Sequence, residues 1–140
     1  MAWEAPVLDL PGQVAGSTFA TGNGYNGTGQ FLFVKLSASN TVVPCSAVTD
    51  IPLGVSQGNP ASGDAIQVRV LGVTKVYVGT GGLTIDPDTF VGTDAQGKAV
   101  MKRPTSSGAN YGNYARGIAL ETANAGELGT ILLIGPWTVH

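Results

Sequence analysis

The chain has 140 residues, enough for one domain, and only 11% of them are charged: seven Lys and Arg against nine Asp and Glu, a net charge of −2. About 25% charged is usual, and cations this sparse form no basic stripe, which argues against a nucleic-acid partner held by phosphate neutralisation. A single cysteine excludes an internal disulfide framework, and no apolar run approaches the ~20 residues of a membrane span, so no membrane partner is expected.

The opening Met1-Ala2-Trp3-Glu4 lacks the basic and apolar regions of a secretory signal. The expected setting is therefore a reducing cytoplasm. Residues 1–15 carry Trp3, Val7, Leu8, Leu10 and Val14 among Pro6, Pro11 and Gly12, without a clean apolar period. Proline donates nothing to a ladder, so a central strand is not expected here. A segment that cannot hide its own hydrophobes should lie extended on another surface, with Trp3 as an anchor. Residues 16–30 are almost wholly Gly, Asn, Thr and Ser. The expected organisation is thus an extended N-terminal arm and Gly-rich linker over 1–30, then a compact β domain over 31–140.

From residue 31 onward the pattern is that of short strands. Twenty-one glycines and eight prolines oppose long helices, and period-2 alternation recurs. Leu32, Val34 and Leu36 alternate with Phe31, Phe33 and Lys35. Leu53 to Gln57 is a further short run. Asn59-Pro60-Ala61-Ser62-Gly63-Asp64 reads as a turn into Ala65–Val70, where Ile66, Val68 and Val70 share one face and Gln67 and Arg69 the other. Gly72 suggests a bulge or bend, after which Val76 and Val78 share a face. Gly79 to Gly82 and Asp86-Pro87-Asp88 read as loops, and Asp94-Ala95-Gln96-Gly97 as a hairpin turn between Thr89–Gly92 and Ala99–Lys102. Thr105 to Asn113 is a polar insert. Ala115–Thr122 and Gly129–Ile134 complete the set, with room for a short helix near 120–127. Turn signals about every ten residues predict an all-β fold, a small barrel or sandwich. Its expected core is Val34, Leu53, Val55, Ile66, Val68, Val70, Val76, Val78, Phe90, Ile118, Leu120, Ile131 and Leu133.

Catalytic chemistry finds little support. Gly22-Asn23-Gly24-Tyr25-Asn26-Gly27 matches a dinucleotide fingerprint in letters, but a β-like run follows where a helix N-terminus is needed. The only histidine, His140, is the last residue. Cys45 follows Pro44 in an apolar stretch and reads as a buried structural thiol. One His and one Cys make no zinc tetrad, Asp86 and Asp88 lack the rest of a calcium loop, and Glu121 and Glu127 read as solvated turn residues. The chain is expected to be no enzyme, to use no cofactor or metal and to take no small-molecule substrate.

The middle of the chain carries a more specific signal. Asp50-Ile51-Pro52-Leu53-Gly54-Val55, then Ser62-Gly63-Asp64 leading into the alternating strand to Gly72, then Thr74 to Val78, resembles the bacteriophage head decoration, or capsid cement, proteins. Asp94-Ala95-Gln96-Gly97 resembles their next turn, and Ala115–Leu120 with Gly129–Leu133 their late strand pair. The resemblance spans about residues 31–135. It implies a β domain with an N-terminal arm, working as a homotrimer on the outer surface of the phage head. There it would bind the major capsid protein, stabilise its lattice and be assembled in the host cytoplasm. The arm residues Trp3, Val7, Leu8, Leu10 and Val14 would make the capsid or subunit contact. Another virion β protein, a tail-tube, head-fibre or adhesin module, is the alternative.

Overall fold

The computed structural model describes residues 6–16, 29–86, 90–102 and 114–138. Nine strands follow one another in it: β1 (Leu8–Ala15), β2 (Phe33–Ala38), β3 (Thr41–Pro44), β4 (Gly54–Ser56), β5 (Ala65–Tyr77), β6 (Phe90–Thr93), β7 (Ala99–Lys102), β8 (Tyr114–Ala119) and β9 (Leu128–Thr138). No helix occurs among the described residues. Residues 120–127, which left room for a short helix, form bends and turns, pinned by a bridge between Leu83 and Ala123.

The strands run in the order β1-β3-β2-β4-β5-β9-β8-β6-β7, with a further β1–β5 pairing. That pairing returns the first part of the sheet to its start: β1 lies parallel to β3 and antiparallel to the first half of β5. The second half of β5 pairs with β9 instead. A parallel bridge from Val78 to Ala99 brings β7 back to the end of β5. β5 is thus shared by two nearly closed sets of strands.

Two apolar clusters correspond to the two halves. Ala15, Val34, Val42, Ile66, Val68 and Val70 form one, with Leu10 and Leu53 against it. Val76, Val78, Leu83, Val91, Ala99, Ala119, Ile131 and Leu133 belong to the other, joined by Phe33, Cys45 and Val55. Successive residues of a strand point to opposite faces, so β2 supplies both clusters, Val34 to the first and Phe33 to the second. Of the expected core, Leu53, Phe90 and Ile118 are half-buried. Leu120 departs from it outright: it is 45% exposed, just past the end of β8, where the alternation no longer applies.

Two elements differ from the sequence expectation. Residues 8–15 do form a strand, because Pro11 falls in a register shift between Leu10 and Gln13, where the ladder needs no donor from it. The surface on which this segment lies is the chain's own β5 and β3. Strand β3 was not foreseen. It follows a tight turn at Ser39-Asn40, where Asn40 takes φ 54°, a conformation asparagine tolerates.

Two glycines explain close approaches. At Gly54 a side chain would meet the Arg69 carbonyl carbon and a Val68 methyl, both at 3.0 Å, so only glycine lets β4 lie against β5. Gly72 has φ 99°, and a Cβ there would stand 2.5 Å from the Pro6 carbonyl oxygen. The bend foreseen at this residue is where β5 changes partners and where the N-terminal segment passes over it.

Candidate functional site

The residues first singled out for contact fall in different places. Trp3 lies outside the described residues, as do the Gly22–Gly27 run, Pro87 to Thr89, the stretch from Arg103 to Asn113 and His140. Val7 and Leu8 are exposed, Leu8 at 52%. Leu10 packs against the first cluster and Val14 is half-buried opposite Ala65, so both contribute to the chain's own β structure. Leu71, exposed, is the register partner of Leu8. Val7, Leu8 and Leu71 together form an apolar flank where β1 meets β5.

Beside this flank a polar clamp holds β1 in place. The Arg69 Nε donates to Asp9 Oδ1 at 2.9 Å, Arg69 Nη2 donates to Asp9 Oδ2 at 3.3 Å, and Gln67 donates to the same carboxylate. The hydrogen bond from Arg69 is the main reason that the Asp9 carboxyl titrates below its ordinary value. Gln67 and Lys75 are exposed, whereas Arg69 is half-buried by this pairing.

A second apolar area surrounds the loop that leads into β4. A groove of about 400 Å³ is lined by Lys35, Leu36, Ile51, Pro52, Leu53 and Arg116. Leu36 is 53% and Ile51 50% exposed. Lys35 Nζ donates to Asp50 Oδ2 at 2.9 Å and to Ser46. Burial pushes the Asp50 carboxyl up, but hydrogen bonds from Lys35 and from the N–H groups of Ser46 and Ala47 outweigh it and hold the pKa below the ordinary value.

Under the groove lies Arg116, only 5% exposed. It stands at a register shift in β8, between Ala115 and Gly117, and such a shift re-aims a side chain. Its guanidinium donates to the carbonyls of Pro52 at 3.1 Å, Leu53 at 3.1 Å, Val70 at 2.5 Å and Ile134 at 2.8 Å. It thereby fills the gap along β5 between the end of β4 and the start of the β9 pairing. Among the described residues no carboxylate joins it, and burial alone lowers its pKa. The sequence reading took Arg116 only as part of a strand. Its one signal was a lone cation between Ala115 and Gly117 in an otherwise apolar run.

The remaining chemistry-bearing groups are placed structurally. Cys45 is buried in the second cluster, and burial pushes its thiol up to about 12, so the thiolate is not available near neutrality. Lys102 is buried and donates to the Val48 carbonyl at 3.3 Å. Glu121 accepts from Thr130 and Lys75, and Glu127 accepts from the Asn124 N–H in a turn. Among the described residues no three His, Cys, Asp or Glu side chains are grouped to hold a metal ion. What the surface offers is exposed aliphatic side chains set among few charges, which suits contact with other chains.

Comparison with known proteins supports that picture. A sequence profile described as phage cement protein matches residues 27–135. Among solved structures, the chain is similar to the N base of head fiber gp8.5 in bacteriophage phi29, with 20% identity and a TM-score of 0.57 over 96% of this chain and 100% of that one. At that identity the likeness is one of fold. No curated protein sequence matches.

Proposed function

The chain belongs to the phage cement protein family, and from that premise we propose that it binds the outer surface of a phage head as a homotrimer and stabilises the lattice of the major capsid protein. The family is a structural one, and its place is the capsid of the virion. The observation that carries the finer reading is the profile match across residues 27–135. It covers β2 to β8 and most of β9, the strands whose surface shows exposed aliphatic residues among few charges. We assign the head contact to the flank of Val7, Leu8 and Leu71. Burial of each such side chain contributes about 1.5–3 kcal/mol, and three-fold repetition multiplies a modest gain per copy. No catalytic role, cofactor, nucleic acid or small molecule enters this reading.

The test is to mix the purified protein with undecorated, expanded heads and follow sedimentation and the heads' resistance to heat. The expected result is saturable binding in multiples of three and heads that survive to a higher temperature. A chain that remains monomeric and ignores such heads would overturn the proposal. A second reading, the base of a head fibre, is favoured by the fold of the phi29 structure. In that case the protein would bind heads at few positions and leave their heat resistance unchanged.

A further inference from the structure

We propose that the Leu36–Ile51–Arg116 groove receives a second copy of the chain, which enters it with the end that carries Ile85, so that the self-contact joins two unlike faces. The inference rests on the homotrimer of the reading above and names its contact. The first observation is the charge of the groove. Two cations, Lys35 and Arg116, line it, and among the described residues no carboxylate does. Asp50 offsets Lys35. Arg116 has four backbone carbonyls as acceptors and, among the described residues, no carboxylate. One positive charge is therefore left over beneath the exposed Leu36 and Ile51.

The second observation is a matching face of opposite sign. The loop after Val78 and the turns of residues 120–127 are held together by the Leu83–Ala123 bridge and by the Val78 N–H, which donates to the Glu127 carbonyl. There Ile85 is 67% and Leu120 45% exposed. Asp86, Glu121 and Glu127 belong to the same loop and turns, against the one cation Lys75, which pairs with Glu121. Lys98 and Asp94, both next to Gly79, offset each other at the border. Apolar side chains among net negative charge thus stand at one end, and an apolar groove with net positive charge at the other. Such complementarity selects a partner and fixes its orientation. The third observation is distance. Arg116 binds the Val70 carbonyl, while the acidic end begins at Val78. Eight residues of extended chain separate them by roughly 26 Å at ~3.3 Å each, so the two faces do not meet within one molecule. A contact between unlike faces, repeated about an axis that closes, makes a ring.

The experiment uses the full chain, both free and bound to expanded heads. In a Cys45→Ala background, Leu36→Cys is combined with Ile85→Cys and exposed to oxidised glutathione. A control pair joins Leu36→Cys to Leu71→Cys, exposed on the other flank. The expected result is a ladder of linked chains ending at three on a non-reducing gel for the Ile85 pair, and single chains for the control. A bond within one chain, or none, overturns the proposal. Heads that are bound and made heat-resistant without the link sink this contact alone and leave the groove to a capsid segment. A linked ring that ignores heads supports the contact and sinks the capsid reading alone. An independent readout needs no cysteine. Leu36→Asp and Ile85→Lys change side chains that already face solvent. Each alone should raise the self-dissociation constant at least about tenfold in analytical ultracentrifugation, and the two together should recover most of that loss, because the new charges attract across the contact. Losses that merely add would equally sink the idea.

Discussion

Arg116 is the residue on which the two halves of the sheet depend most. Its guanidinium satisfies four backbone carbonyls from the β3–β4 loop, β5 and β9 at a place where neither β4 nor β9 pairs with β5. A methionine there would keep much of the volume and none of the donors. Each orphaned buried acceptor costs about 1–3 kcal/mol, less where water enters, so Arg116→Met should lower unfolding stability by at least about 3 kcal/mol in urea titration. Arg116→Lys should recover only a fraction, because an ammonium cannot spread over four acceptors in a plane. In the first cluster, Val68→Ala should cost about 1–3 kcal/mol, since Val68 is fully buried between β1 and β4. Titration gives a third test. Asp9 and Asp50 have folded-state pKa values below the ordinary 3.8. The folded state thus binds their protons less readily than the unfolded chain. Their contribution is present above that value and is lost as pH falls through the lower folded pKa values. Thermal midpoints recorded down this acid limb should fall, and the fall should be shallower in Asp9→Asn and Asp50→Asn proteins than in the parent.

Among the elements, β1 has a part that the proline content concealed. It contributes Leu10 and Ala15 to the first cluster, is clamped by Arg69 and Gln67, and closes the pairing between β5 and β3. Removing residues 2–5 should leave circular dichroism and the thermal midpoint nearly unchanged. Removing residues 2–15 should expose Ile66 and Val68 along with a free strand edge, and the product should aggregate or melt markedly earlier. An equal melting temperature for the two truncations would show that β1 adds nothing to the fold. Strand β5 depends on its bend. Gly72→Val combines an unfavourable φ with a side chain directed into Pro6 and Val7. The expected penalty is about 1–2 kcal/mol, measured as the shift in urea midpoint, together with looser protection of the Leu8 amide in hydrogen exchange.

For the molecule as a whole, the scarcity of charge and the exposed Val7, Leu8, Leu36, Ile51, Leu71, Ile85 and Leu120 are two aspects of one property. A surface with few ions repels other chains weakly, and scattered aliphatic side chains reward contact once a partner is placed. Contact through the β1–β5 flank predicts that Leu8→Asp with Leu71→Asp keeps the fold, because both side chains already face solvent, yet weakens head binding at least about tenfold. Isothermal titration with expanded heads measures this directly, and unchanged affinity would move the contact to another face.

The strands of the middle and end of the chain were legible in its residues because alternation needs only local spacing. Ile66, Val68 and Val70 could share a buried face in one way, and Asp94 could form its turn through its own carboxylate, which accepts from the Gln96 and Lys98 N–H groups. The all-β class and the family resemblance rested on such local patterns, and both hold. Position relative to other strands is not a local property. Alternation put Phe33 and Val34 on opposite faces of β2, and only the assembled sheet shows both faces buried, each against a different cluster. The same limit hid β1, whose broken period becomes regular only where a register shift absorbs Pro11, and it made Leu120 look like core when its strand had already ended. Arg116 is the clearest case. Sequence shows a lone cation, while its four acceptors come from residues between 18 and 64 positions away. Bringing them together requires the whole chain to fold.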